Sequence, residues 1–338
     1  MADISTITTQ QEFRLLKRAS YVSLIVSVLL LGAKFWAYWM TDSQAVFSDA
    51  MESIVNVIAA STSIFVIGFA RQPADQDHPY GHGKAEFVSA AFEGGLIAIA
   101  SLAIIVEAVK ALLGAQTLEQ PGLGTLVTFS TGVANAALGF YLVKTGKKHN
   151  SATLIASGKH VYSDFWTSFG VAAGLLLVTL TGVQWLDPVV ALLMGALLAR
   201  TGYQLVRRSL GELLDQEDRE VLKNLLDIVA IERPSGIIQL HHVRVMRSGH
   251  YHHIDAHAVV PEYWDVAEAH DKTDAFEAKL MEKYPAPGEL HLHVDPCRRA
   301  YCRNCAVMEC PIRKHPFEKL RVLTIDELTN PEEPQRHR

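Results

Sequence analysis

The sequence predicts a membrane-spanning all-α bundle of six helices followed by a small polar α+β domain. Three observations carry this expectation. Six apolar stretches each approach or exceed the ~20 residues that cross a bilayer core. The polar gaps between them are very short, which a large soluble helical core would not require. The last third is polar and rich in histidine, and its pattern alternates between helical and strand periods.

The chain has 338 residues and is 49% hydrophobic, with the apolar residues concentrated in the first two thirds. The spans are expected at Ala19–Met40, Ala45–Ala70, Phe87–Leu113, Leu123–Val143, Thr153–Leu180 and Val189–Val206. Arg14, Lys17 and Arg18 precede the first span. Arg71 and Lys84 separate the second and third, Lys144, Lys147, Lys148 and Lys159 follow the fourth, and Arg200, Arg207 and Arg208 close the sixth. The opposite loops, around Asp42, Glu119 and Asp187, hold no Lys or Arg, so both termini are expected on the cytoplasmic side of an inner membrane. The first residues lack the basic-then-apolar layout of a cleavable signal. A net charge of -5 without a basic stripe argues against nucleic acid as a partner. Neither a Gly-rich phosphate loop nor a triad-like set argues for an enzyme.

The second and fifth spans carry polar stripes. On a helix, residues spaced by three, four and seven share a face. Thr153, Ser157, His160, Asp164 and Ser168 share one in span five; Asp49, Glu52, Ser53, Asn56, Ala60 and Ser63 share one in span two. Ionisable groups inside a membrane cost several kcal/mol, so they line a cavity, pair, or serve transport. Glu52, Asn56, His160 and Asp164 together offer three oxygens and one nitrogen, a set suited to a divalent transition metal. The plainer reading is an interhelical hydrogen-bond network without an ion. Lys34 is expected to snorkel or to pair; the sequence assigns Glu93 no role. After span two, Asp75, His78 and His82 fall in a tight loop punctuated by Pro73, Pro79 and Gly81, where they form either a metal-entrance site or a merely solvated turn.

After Leu210 the pattern changes. "EDREVLKNLLDIVA" predicts a helix, and "GIIQLHHVRVMRSGHYHHIDAHAVV" a hairpin turning at Ser248-Gly249. "YWDVAEAHDKTDAFEAKLMEKY" predicts a second helix and "ELHLHVDP" a last strand. The αββαβ order is that of a metallochaperone-like sandwich. Alternation places His253, Asp255 and His257 opposite Ile254, Ala256 and Ala258, and His291, His293 and Asp295 opposite Leu290, Leu292 and Val294. Four cysteines follow, Cys297, Cys302, Cys305 and Cys310, spaced C-x4-C-x2-C-x4-C, with His315 beyond. On the cytoplasmic side thiols stay reduced, and four so close can enclose one zinc ion. Cys297, directly after Asp295-Pro296, reads equally as part of the domain, leaving Cys302, Cys305 and Cys310 to the tail; a tail that binds nothing also stands open. Beyond Phe317 the chain is charged and Pro-containing, and poor order is expected.

"SDAMESIVN", "RQPADQDHPYGHGKAE" and "HVYSD" together resemble the cation diffusion facilitator family over nearly the whole chain up to Cys297. The resemblance implies a homodimer of six-span subunits, each with a cytoplasmic metal-binding domain, exporting divalent metal in exchange for protons. It implies a transport site of Glu52, Asn56, His160 and Asp164, and an entrance site of Asp75, His78 and His82. It also implies a binuclear regulatory site of His241, His257, His270, His293 and Asp295, with Asp295 bridging. His242, His250, His252 and His291 have no counterpart role and read as solvated or supporting. One departure stands out: zinc exporters of the family usually carry His or Asp at the position of Glu52 and Asp at that of Asn56, so the site here has one negative charge fewer. Asp49 is a possible substitute ligand.

The expected organisation is therefore an N-terminal tail (1–12), a transmembrane domain (13–209), a cytoplasmic domain (210–296) and a Cys-containing tail (297–338). The expected function is proton-coupled efflux of zinc first, or of iron, manganese, cobalt or nickel. A metal-sensing membrane receptor that no longer transports is the alternative.

Overall fold

The computed structural model describes residues 4–114, 121–148, 152–249, 251–320 and 323–331. They pack as two compact units, one reaching to Gln76 and resuming at Lys84–Leu213, the other formed by Asp77–Gly83 and the chain from Leu214 on.

The first unit holds six helices long and apolar enough to cross a membrane: α1 Ile4–Thr41, α2 Gln44–Phe69, α3 Ala85–Leu113, α4 Pro121–Lys148, α5 Ala152–Thr181 and α6 Leu186–Leu213. α1 starts well before the predicted span, because nothing between Ile4 and Ala19 stops a helix: no Pro and no Gly occurs there. A two-residue turn, Asp42-Ser43, joins α1 to α2, with Asp42 at φ 50°. Ser43 caps α2 by accepting from the Val46 amide, and donates to Asp187 at the start of α6. Asp187 also accepts from the Gln44 amide at 2.7 Å, so a carboxylate of α6 sits on the positive end of α2.

Small residues set the helix pairings. A Cβ on Gly139 of α4 would stand 2.8 Å from the Gly158 carbonyl of α5, and one on Gly202 of α6 would stand 2.9 Å from the Gly94 carbonyl of α3. Without a hydrophobic drive between helices in lipid, this backbone proximity supplies the packing. α2 packs against α1, α3, α5 and α6, which places its polar stripe inside the bundle.

The second unit runs α7 Arg219–Glu232, β1 Gln239–Ser248, β2 Tyr251–Val260, α8 Val266–Lys283, β3 Gly288–Pro296, a 3-10 turn at Arg299–Arg303 and α9 Ile325–Thr329. The sheet order is β1-β2-β3, antiparallel between β1 and β2 and parallel between β2 and β3, with α8 as the crossover. Gly249 turns the hairpin at φ 62°. Leu222, Leu225 and Val229 of α7 and Phe276 and Leu280 of α8 pack on Leu240, Ile254, Ala256, Ala258 and Leu290. One sheet face is thus apolar and covered, with His252 on it against Tyr284, and the alternation leaves His241, His253, His257, His291 and His293 on the other.

Two features of this second unit depart from expectation. The β1–β2 register slips between His241 and Arg244, and His242 adopts φ 51° there. The segment after Phe317 is not all irregular: Leu323 and Leu328 enter the core beside α7, and the Asn330 carbonyl accepts from the bulged His242 amide at 2.9 Å. Local composition hid a short amphipathic helix whose order comes from burying Leu328, which is 0% exposed.

Candidate metal centres

In the bundle, α2 and α5 face each other through their polar stripes. Asn56 lies between two side chains of α5: Nδ2 donates to Asp164 Oδ2 at 2.6 Å, and Oδ1 is 3.1 Å from His160 Nε2. Glu52, one turn earlier on α2, accepts from Thr167 Oγ1 at 2.9 Å. Glu52, Asn56 and Asp164 are all buried, and His160 is partly open to a cavity it lines with Ser20, Ser23, Ser157 and Glu93. Four donors from two helices therefore meet in one region, although Glu52, His160 and Asp164 are not drawn within 4.8 Å of one another as a set. The amide of Asn56 and the hydroxyl of Thr167 occupy the carboxylate oxygens instead.

Asp49, the possible substitute ligand, is committed elsewhere. Lys34 Nζ donates to Asp49 Oδ1 at 2.8 Å, Ser168 Oγ donates to the same oxygen at 2.6 Å, and the lysine and aspartate side chains are both 0% exposed. Lys34 is thus paired rather than snorkelling. The buried pair offsets both charges, with Lys34 and Ser168 both donating to Asp49 Oδ1, while Asp49 Oδ2 is buried without a hydrogen-bond partner. Glu93 of α3, without a role in the sequence, points its Oε1 to within 3.7 Å of His160 Nε2. Nothing in the α3 sequence marks this residue beyond its being a carboxylate in an apolar span.

In the loop after α2, the rings of His78 and His82 stand 4.3 Å apart, with His82 buried and His78 exposed. Asp75 is exposed.

On the open sheet face, His241, His257 and Asp295 bring ligand atoms within 4.8 Å of one another. Asp295 Oδ2 is 2.9 Å from His257 Nδ1 and 3.6 Å from His241 Nε2, and its Oδ1 is 3.7 Å from His293 Nε2. One oxygen toward each side is what a bridging carboxylate needs. Burial pushes the His241 imidazole down to about 4, so it stays neutral and ligand-competent at physiological pH. The bulge brings a residue the sequence pattern did not single out: His242 Nδ1 lies 3.3 Å from His257 Nε2. Strict alternation would send His242 to the opposite face from His241, and no local residue type signals the slip. His270 stands apart from this group, exposed on α8 beside a cleft it lines with Asp274, Glu277 and His291.

The four cysteines are free thiols. Cys305 is buried with Tyr301, Ile238 and Val259, and Cys297 packs against the same cluster, so Cys297 belongs to the domain edge. Its amide extends the sheet by donating to Val260 at 2.7 Å. Arg313 gathers the loop, donating to the carbonyls of Cys302, Cys305, Val307 and His315, and the Lys314 amide points at Cys302 Sγ at 3.5 Å. Cys302, Cys305 and Cys310 do not bring their sulfurs within 4.8 Å as a set. Burial raises the Cys297 and Cys305 thiols above their ordinary value.

Comparison with known proteins agrees with this layout. Residues 20–214 match the family model described as the cation efflux transmembrane domain, and residues 216–297 match that of the cation efflux protein cytoplasmic domain. An uncharacterized transporter of Synechocystis sp. is 32% identical over 283 residues, covering 84% of this chain and 91% of that protein. The manganese efflux system protein MneP of Bacillus subtilis is 26% identical, covering 83% and 96%. The cation-efflux pump FieF of Yersinia enterocolitica is 28% identical, covering 85% and 94%.

Proposed function

From the premise that this chain belongs to the cation diffusion facilitator family of membrane transporters, we propose that it exports a divalent transition metal from the cytoplasm in exchange for protons. Zinc is the first candidate, followed by iron(II), manganese, cobalt and nickel; the manganese efflux protein among the relatives keeps manganese in view. The observation that carries the proposal is the contact of Asn56 with both His160 and Asp164 across α2 and α5.

In this reading Glu52, Asn56, His160 and Asp164 hold the cation in the bundle. A cation entering there displaces the Asn56 amide from Asp164. The bundle then rocks to open toward the far side, as inverted-repeat transporters do around a fixed midplane site. Protonation of His160 or of a carboxylate of the site releases the metal, and the protonated carrier returns. Both termini lie in the cytoplasm, as the distribution of Lys and Arg supports.

The loop residues Asp75, His78 and His82 collect metal at the entrance. His241, His257, His270, His293 and Asp295 form a regulatory binuclear site, with His270 brought in on metal binding. Metal there draws two cytoplasmic domains of a homodimer together and shifts the population toward a transporting state. A structural zinc ion on Cys302, Cys305 and Cys310 would need their sulfurs to close up around it in the loop that Arg313 organises.

The test is uptake of each cation into proteoliposomes under an imposed pH gradient. Gradient-driven flux in wild type that is lost in Asp164→Ala supports export. Cation binding without flux indicates the receptor reading.

A further inference from the structure

Among the described carboxylates buried or half-buried in the bundle, Glu93 is used neither by the proposed ligand set nor by the Lys34 pair, and unlike Asp187 it does not cap α2. We propose that Glu93 is a further ligand of the transported cation, a third-helix carboxylate that makes up for the neutral Asn56; the proposal rests on the transport reading given above.

The geometry comes first. Two donors sharing one tetrahedral ion at about 2.0–2.2 Å each lie about 3.3–3.6 Å apart. His160 Nε2 lies 3.1 Å from Asn56 Oδ1 and 3.7 Å from Glu93 Oε1, so oxygens from α2 and α3 flank one imidazole nitrogen at near-ligand spacing. Glu52 meanwhile is held by Thr167, a turn beyond Asp164 on α5.

Position and charge agree. Glu93 is a carboxylate within an apolar span, which by cost alone demands a function or a partner. Its side chain is 25% exposed and that of His160 is 22% exposed, and both line one cavity with Ser20, Ser23 and Asn56. A hydrated cation entering this cavity meets Glu93 together with His160 while still partly in contact with water. The helix carrying Glu93 is fixed rigidly: the next residue, Gly94, would place a Cβ 3.1 Å from the Gly202 carbonyl and 3.0 Å from the Val206 amide of α6. α3 therefore cannot rotate Glu93 away without opening its seam with α6.

The chemistry also specifies a compensation. An aspartate at position 56 would supply from α2 the charge that Glu93 now supplies from α3. Glu93 should then matter with Asn56 present and matter little once position 56 is Asp.

The full-length protein in proteoliposomes tests this, with Zn²⁺, Mn²⁺, Fe²⁺, Co²⁺ and Ni²⁺ offered singly and the best-transported ion carried forward. Binding is measured in parallel by calorimetry and folding by thermal unfolding. Glu93→Gln should raise KM and weaken binding at least tenfold with a smaller change in kcat. Glu93→Asp should retain part of the affinity, and the double variant Asn56→Asp with Glu93→Gln should bind at least as tightly as wild type, within about threefold of Asn56→Asp alone. A Glu93→Gln variant within twofold of wild type in KM and affinity overturns the proposal, as does a double variant no better than Glu93→Gln alone. If wild type binds but moves no cation, weaker binding by Glu93→Gln, recovered in the double variant, still supports the ligand assignment while the transport reading fails.

Discussion

Asn56 holds Asp164 by its amide at 2.6 Å and meets His160 with its carbonyl at 3.1 Å, so one neutral side chain joins both ligand-type groups of α5. This relationship makes the bundle site self-satisfied through hydrogen bonds. It also makes position 56 the point where charge and cohesion trade against each other.

Replacing Asn56 by Asp removes the donor and sets two carboxylates face to face, which disfavours ionising both unless a cation lies between them. Asn56→Asp is expected to lower the metal-free melting temperature and to enlarge the stabilisation that Zn²⁺ confers, corresponding to roughly tenfold tighter binding. Thermal unfolding of the purified protein with and without Zn²⁺ checks it. An unchanged metal-free melting temperature would contradict the clamp.

Lys34 and Asp49 form a fully buried pair at 2.8 Å. Removing one partner strands a charge, at a cost of about 3–5 kcal/mol. Lys34→Met should therefore destabilise the bundle severely, and the double change with Asp49→Asn should recover most of the loss. Chemical unfolding in detergent separates the two; equal damage in both would mean that the pair contributes nothing as a pair.

His241 titrates near 4 when folded, because burial disfavours its charged form, against about 6.5 in an unfolded chain. Its folded value is depressed, so below pH 6.5 the unfolded chain binds a proton that the folded one refuses. The stability it contributes is full above 6.5 and is lost as pH falls toward 4, with a slope approaching about 1.4 kcal/mol per pH unit. His241→Asn in the metal-free protein should flatten this part of the stability profile. A variant as pH-sensitive as wild type between 6.5 and 4 would remove His241 as the source.

Leu328 of α9 is completely buried against the core of the second unit. Leu328→Ala should cost about 2–5 kcal/mol. Denaturant unfolding measures this; a loss below about 0.5 kcal/mol, the range of ordinary surface substitutions, would show the tail to be a passive appendage.

The reading from sequence reached furthest where one period governs a long segment. Six apolar runs and the alternation in β2 and β3 determine both the bundle and the face on which His257, His293 and Asp295 stand. The stripe containing His160 and Asp164 followed from helical spacing alone. What stayed hidden depends on tertiary context. Glu93 is brought to His160 by the rotation of α3 against α6, which no local pattern encodes. His242 reaches His257 through a bulge at a non-glycine positive φ, so alternation misplaces it by one residue. α9 is five residues long, too short for a periodic signal, and is fixed by the pocket that Leu328 fills.

The central claim is that side chains of α2 and α5 jointly grip a divalent cation that crosses the bilayer. Flux of the best-transported ion into proteoliposomes under a pH gradient, compared between wild type and His160→Ala or Asp164→Ala variants of matched folding, tests it most directly. The account predicts that both variants fall to the flux of protein-free liposomes. Variants that retain wild-type flux would contradict it.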